Sequence, residues 1–221
     1  MLAVWAGRVP YTEALRWQRL LVEARTDDAV DDVLLTLTHE PVYTAGPHAD
    51  LGRNLLGTRP DIPVVEVDRG GDVTYHGPGQ LVAYPILRLA RARGVRAYVE
   101  ALEEACVRTL ASFGVRARPD RRRTGVWVGG AKLVAIGIRV RQGITSHGLA
   151  LNVTTDLIDY GGIVPCGIAD ADVCSLASLG VDTTVEEVRR RLVPHLGDSL
   201  GRPLQPATPA DLGLTRGAAR A

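Results

Sequence analysis

Lysine is nearly missing from this chain: of its 26 basic residues, 25 are arginine and one, Lys132, is lysine. No apolar run is long enough to span a bilayer, which argues against a membrane class. The stretch from Met1 to Pro10 lacks the basic-then-apolar order of a secretory signal, so a cytoplasmic location is expected. Cysteine is scarce and odd in number. Cys106, Cys166 and Cys174 therefore read as reduced thiols rather than as a disulfide framework. No two of them have close ligand spacing, and His39-Glu40-Pro41-Val42-Tyr43 lacks the second histidine of a zincin, so no metal is expected. Neither GxGxxG nor a GKS/GKT phosphate loop occurs, and nothing in these patterns calls for ATP. The net charge of +1 gives no reason to expect nucleic acid. The short run Arg121-Arg122-Arg123 reads as a solvated turn, with a contact for an acidic carrier protein as the alternative.

What is present describes an ordinary soluble domain. Hydrophobic residues make up 46% and charged residues 23%, and 221 residues suffice for one compact core. One domain over residues 1–200 is expected, followed by a Pro-, Gly- and Ala-rich tail, 201–221, that reads as loosely packed. Helical spacing of apolar residues predicts helices over 12–25 and 97–113. A third is announced by the capping-box pair Thr184 and Glu187, with Pro194 expected to kink or shorten it. Strand-like runs, bounded by Gly and Pro, cover 33–43, 64–68, 73–75, 81–87, 125–128, 133–141 and 146–153. Strands cluster between helices instead of alternating with them, which predicts an α+β fold with a mixed, largely antiparallel central sheet flanked by helices.

Three places carry chemistry. The segment Arg69-Gly70-Gly71-Asp72-Val73-Thr74-Tyr75-His76-Gly77-Pro78-Gly79-Gln80 has glycines at a density that lets backbone amides approach a ligand, with a histidine among them. Two glycine turns joining strands are the bland alternative. Cys166, in Val164-Pro165-Cys166-Gly167-Ile168, is flanked by a proline that fixes the entering backbone and a glycine that leaves the thiol uncrowded. Cys106 and Cys174 read instead as small core residues. Lys132 precedes the apolar run Leu133-Val134-Ala135-Ile136-Gly137-Ile138. Lysine can lose its proton when desolvated and arginine cannot, so a single lysine kept in an arginine-rich chain has two readings, a place where arginine would not serve and a chance survivor of a bias toward arginine. His147, in Ser146-His147-Gly148-Leu149-Ala150, has two readings, a structural histidine bonded to backbone and a member of a pocket wall. His48 and His195 read as surface residues.

Taken in order, residues 69–80, 130–138 and 146–152 and the Pro165-Cys166-Gly167-Ile168 motif resemble the lipoyl(octanoyl) transferase family, as does His39-Glu40-Pro41-Val42-Tyr43-Thr44-Ala45-Gly46. The resemblance implies a fold shared with biotin protein ligases and lipoate ligases. It implies that Cys166 is the acyl-accepting nucleophile and Lys132 the lysine that lowers its pKa and serves as acid and base. It implies substrate-binding stretches at Arg69, Gly70, Gly71, Asp72, Val73, Thr74, Tyr75 and His76, at Ala135, Ile136 and Gly137, and at Gly148, Leu149 and Ala150. The implied donor is octanoyl-acyl carrier protein. The implied acceptors are lipoyl domains of 2-oxoacid dehydrogenases and the glycine cleavage H protein, with no cofactor. Backbone amides around Cys166-Gly167, Gly70-Gly71 or residues 77–79 are candidates for the oxyanion donors.

The closest rival is an ATP-dependent lipoate or biotin protein ligase, which has no need of a presented thiol. A non-catalytic module that binds lipoyl domains or acyl carriers would show no dependence on Cys166. A cysteine hydrolase with His147 or His76 as base is a third reading.

Overall fold

The structure, a computed structural model, describes residues 1–57, 59–89, 94–163 and 172–216. The chain opens with β1 (Leu2–Arg8), α1 (Tyr11–Thr26), β2 (Val33–Thr38) and β3 (Val42–Ala45). A short α2 (Leu51–Asn54) precedes β4 (Val64–Glu66), β5 (Thr74–His76) and β6 (Gln80–Ile86). After α3 (Val95–Ala111) come β7 (Arg118–Asp120), β8 (Arg123–Val128), β9 (Ala131–Arg141) and β10 (Ile144–Asn152), then α4 (Val185–Leu200) and β11 (Gln205–Ala207). Eight strands form one sheet in the order β11-β1-β2-β6-β10-β9-β8-β7, and β4-β3-β5 form a second. The β1–β2, β1–β11 and β3–β4 pairs are parallel and the other pairs are antiparallel, so the sheet is mixed as expected. No described helix is long and apolar enough to cross a membrane.

Strand alternation sorts residues onto two faces of the large sheet. On one face Leu81 and Ala83 of β6 and Leu149 and Leu151 of β10 join Leu102, Cys106 and Leu110 of α3 and Val188, Leu192 and Leu196 of α4. On the other, Val82, Tyr84 and Ile86 of β6 and Ala150 of β10 meet Ala14, Trp17 and Leu21 of α1. The second sheet has its own small core of Tyr43, Val73 and Tyr75 with Tyr160 and Ile163. α1 buries Tyr11, Ala14, Leu15, Gln18 and Leu21, the three-and-four spacing of a one-sided helix, and enters from Pro10.

Several elements differ from the sequence reading. Residues 33–43 do not make one strand: β2 stops at Thr38 and β3 begins in the other sheet at Val42. Pro41, with no N–H to give a ladder, lies in the break, and the His39 ring turns inward to the backbone of Val9. α4 runs unbroken across Pro194, which sits on the exposed side where water reaches the carbonyl freed at Arg190. Thr184 caps that helix as expected, its hydroxyl accepting from the Glu187 N–H at 3.2 Å. Three strands escaped the sequence reading. They are β1, whose apolar run is short, and the edge strands β7 and β11, whose residues are largely exposed. β11 draws residues 205–207, expected as loose tail, onto the edge of β1, and Leu214 is buried beyond it.

Candidate active site

A cleft lies between the α1 face of the large sheet and the segment that begins at Arg69. Its walls are Arg69, Gly70, Gly71, Thr74 and His76, Ala135 to Gly137 on β9, His147 to Ala150 on β10, and Tyr11 and Tyr84. Three glycines let the backbones close on one another. A Cβ at Gly137 would stand 2.7 Å from the Gly70 carbonyl oxygen, one at Gly148 would stand 2.1 Å from that of Ala83, and one at Gly46 would stand 2.0 Å from that of Gly71. Gly71 itself has φ +92, which L side chains rarely adopt. The Gly70 N–H donates to the Ile138 carbonyl at 2.9 Å, tying the loop across β9.

The polar groups of the cleft are buried and held. Arg69, 7% exposed, donates to the carbonyl and hydroxyl of Thr44 at 2.6 and 2.9 Å. His76 Nδ1 bonds Gln80 Oε1 at 2.7 Å, which makes that nitrogen the donor and leaves Nε2 as an acceptor. Burial, together with the neighbouring His39, pushes His76 well below the usual histidine range. His39 bonds the Val9 carbonyl through Nδ1 and the Tyr84 hydroxyl through Nε2, both at 2.8 Å, and burial lowers it to about 4. His147 sits at φ +57 with its N–H on Gln18 Oε1 at 2.7 Å and its Nε2 on the Asp68 carboxylate at 2.8 Å. Asp68 is also ion-paired to Arg139. Burial first, then the field of Arg69, Arg139 and Arg19, lowers His147 to about 3. Burial is the largest cause in all three and disfavours the charged form of each imidazole.

Lys132 is not in the cleft wall but on the same strand, three residues before Ala135, a distance of about 10 Å along β9. It is 5% exposed, with Nζ 4.8 Å from the centroid of the Trp127 ring. The pairing Val126↔Val134 is followed by Trp127↔Lys132, so Leu133 is the extra residue of a β-bulge that re-aims the strand at the lysine. Its backbone is bound on both sides: the Lys132 N–H donates to the Asp172 carbonyl at 2.8 Å, and the Cys174 N–H to the Lys132 carbonyl at 3.0 Å. Asn152, buried, clamps the same segment through the Cys174 carbonyl at 3.0 Å and accepts from Gln80 Nε2 at 3.0 Å. A hydrogen-bonded chain thus runs from His76 through Gln80 and Asn152 to the backbone beside Lys132.

The nucleophile expected at Cys166 lies outside the described residues, as do Pro165, Gly167 and Ile168. The other two thiols are core residues. Cys106 is fully buried and burial pushes its thiol far up, and Cys174 is pushed up to about 11 by the same cause.

The lipoyl protein ligase A/B catalytic domain matches residues 10–197 of the chain. An octanoyltransferase of Thermosynechococcus vestitus is 44% identical over 209 residues, covering 93% of this chain and 92% of its own. One of Thermobifida fusca is 44% identical over 214 residues, covering 90% of each. The chain belongs to the lipoyl(octanoyl) transferase family. It is an acyltransferase, as that membership entails. Among solved structures, a putative lipoate protein ligase from T. acidophilum with bound lipoic acid superposes with a TM-score of 0.74 at 17% identity, covering 94% of this chain and 88% of that one. A biotin protein ligase from Aquifex aeolicus, in complex with biotin and ATP, gives 0.56 at 14% identity, covering 90% and 70%. The fold is therefore the one that transferases of this family share with lipoate and biotin ligases.

Of the stretches expected to bind substrate, Arg69, Gly70, Gly71, Thr74, His76, Ala135, Ile136, Gly137, Gly148, Leu149 and Ala150 line the cleft, and His147 stands with them. Asp72, Val73 and Tyr75 do not. Asp72 accepts from Asn54 Nδ2 at 2.7 Å, Val73 is in the core of the small sheet, and the Tyr75 hydroxyl donates to Asp159 at 2.9 Å. Tyr11 and Tyr84 were missed, and His39 was read as part of a resembling motif without a place at the site. A tyrosine inside the apolar run of β6, whose hydroxyl needs a partner once buried, was the signal for Tyr84.

Proposed function

We propose that the chain transfers an octanoyl group from octanoyl-acyl carrier protein to a lysine of a lipoyl domain, through a thioester on Cys166. The observation that carries this reading is the placing of the chain's one lysine. Lys132 is buried on the strand that forms one wall of a narrow cleft, its backbone bonded to Asp172, six residues after Cys166 in the chain. Six residues span at most about 20 Å. Two of the three thiols are buried and held in the protonated form, which leaves Cys166 for covalent chemistry. The names of the family relatives support the octanoyl group as cargo.

In the first half-reaction Lys132, which lowers the pKa of the Cys166 thiol, takes up its proton. The thiolate attacks the thioester carbonyl carbon, the carbon–sulfur bond to the carrier breaks, and the departing thiolate takes the proton back from the Lys132 ammonium. In the second, the ε-amine of a lipoyl-domain lysine attacks the octanoyl-Cys166 carbonyl and gives its proton to Lys132 as the new amide forms. The Cys166 thiolate leaves and is held by the ammonium. Arginine cannot take part in this cycle because it does not release its proton, which is the chemical reason for a lysine here.

The test is an intact mass spectrum after incubation with octanoyl-acyl carrier protein in the absence of ATP. One octanoyl adduct is expected, cleaved by hydroxylamine, absent in Cys166→Ala and slow to form in Lys132→Ala and Lys132→Arg. Absence of the adduct, with free octanoate reaching a lipoyl domain only when ATP is added, would replace this reading with a ligase.

A further inference from the structure

The indole of Trp127 is 2% exposed, yet among the described residues it joins none of the apolar clusters. Two cations lie against it instead: Arg123 Cζ stands 4.0 Å from the ring centroid and Lys132 Nζ 4.8 Å. The ring is clamped in place. Its Nε1–H donates to the Arg123 carbonyl at 3.0 Å, and Arg123 Nε donates in turn to the Asp120 carboxylate at 2.7 Å. Trp127 and Lys132 are register partners, and directly opposed residues of an antiparallel pair project to the same face of a sheet. Their neighbours Val126 and Leu133 pack on the α3 side, so the indole and the lysine project to the cleft side. The lysine stem then reaches along β8, its Cε 3.7 Å from where a Cβ of Gly125 would stand. Gly125 adjoins Val126, whose partner is Val134, so it stands beside Ala135, the first cleft-wall residue on β9. The side chain of Lys132 therefore points towards the cleft.

We propose that Trp127 is a positioning residue for the transfer reaction: its clamped ring seats the Lys132 side chain at the Lys132 end of the cleft, where Cys166 needs it. The inference rests on the reading that Lys132 serves Cys166, and adds what aims the lysine. The face of an indole attracts a cation through its quadrupole, most strongly where water is excluded, and both residues here are buried. The attraction acts on the ammonium and not on the neutral amine, so the ring stabilises the state that holds a thiolate. It also confines a long, flexible stem to one seat.

The experiment compares the wild-type chain with Trp127→Phe and Trp127→Leu, after thermal melts have confirmed folding. With a single lysine in the chain, isotope-labelled lysine gives one set of side-chain NMR signals, and the shift of its ε-protons reports the indole face. That shift is expected upfield of free lysine in the wild type, closer to it in Trp127→Phe and closest in Trp127→Leu. The second reading is the pH midpoint of Cys166 alkylation by iodoacetamide, followed by peptide mapping. It is expected to rise by about one pH unit in Trp127→Leu, because losing a desolvated cation–π contact disfavours the ammonium that holds the thiolate. In a Lys132→Ala background the same change should leave the midpoint where Lys132→Ala alone puts it. If Trp127→Leu does not fold, Trp127→Phe, with its smaller π face, carries the same comparison at a smaller shift. An unmoved lysine signal, an unmoved midpoint, or a midpoint that moves as far without Lys132 as with it overturns the assignment of Trp127. A wild-type chain that forms no octanoyl adduct on Cys166 overturns the proposed function instead, and the lysine signal still decides whether the ring seats the side chain.

Discussion

The two faces of the eight-stranded sheet are built to different rules from the same strands. The face under α3 and α4 is made of Leu, Val, Ala and Cys side chains that are almost wholly buried. The face under α1 and the second sheet holds Gln18, His39, Arg69, His76 and His147, all less than a tenth exposed. The first gains stability from area removed from water. The second gives some of it up, since a buried polar group contributes little even when bonded and costs about 1–3 kcal/mol when it is not. The difference teaches that one sheet can carry an almost wholly apolar layer on one side and a layer of bonded, buried polar groups around a cleft on the other.

The comparison can be broken by mutations that move the wrong property. Leu102→Ala, on the helix face and fully buried, should lower stability by about 2–5 kcal/mol in urea titrations while leaving acyl transfer per folded molecule intact. A large loss of transfer from the folded protein would mean that the faces are coupled. Gly148→Ala belongs to the other face, where the new methyl meets the Ala83 carbonyl and Pro85 and forces β6 and β10 apart. It should cost about 1–3 kcal/mol and also reduce the acyl adduct severely in the mass assay, because the displaced strand is a cleft wall.

Acid sensitivity should belong to the cleft face. His39 is lowered to about 4 when folded and returns to about 6.5 when unfolded, so the unfolded chain binds more protons between these values. Its contribution is fully present above about pH 6.5 and is lost as the pH falls towards about 4. In His39→Gln the slope of stability against pH across this window should shrink by up to about 1.4 kcal/mol per pH unit, measured by urea midpoints at several pH values. An unchanged slope would place the acid-sensitive groups elsewhere. The smallest effect is on the helix side: Thr184→Ala removes the cap of α4 and should cost about 1 kcal/mol with no change in transfer.

The sequence made the helices legible because apolar spacing and the Thr184–Glu187 cap are local signals, and α1, α3 and α4 lie close to where the spacing puts them. Most central strands were legible for the same reason. The parting of β2 from β3 was not, since the decision rests on Pro41 and on an inward turn of His39 towards groups 30 and 45 residues away. Motif resemblance found the loop and strand segments that meet at the cleft. It did not distinguish Arg69, which faces the cleft walls, from Asp72, Val73 and Tyr75, which face the small sheet, because a three-residue strand and its turns split one motif between two surroundings. Tyr11 and Tyr84 come from elements with no motif at all, and only packing brings them to the site.

One surface property follows from the burial of Lys132. With every other basic residue an arginine, the molecule presents no lysine amine to its surroundings, so an N-hydroxysuccinimide ester or a biotinylating reagent of that class finds no reactive side chain on the outside. Such a reagent has two amines to find, the exposed α-amine of Met1 and the buried side chain of Lys132. Its slow incorporation at Lys132, told apart from Met1 by peptide mapping, would record how often the interior beside Trp127 opens, and protection by a bound acyl chain would be read against the unchanged labelling of Met1.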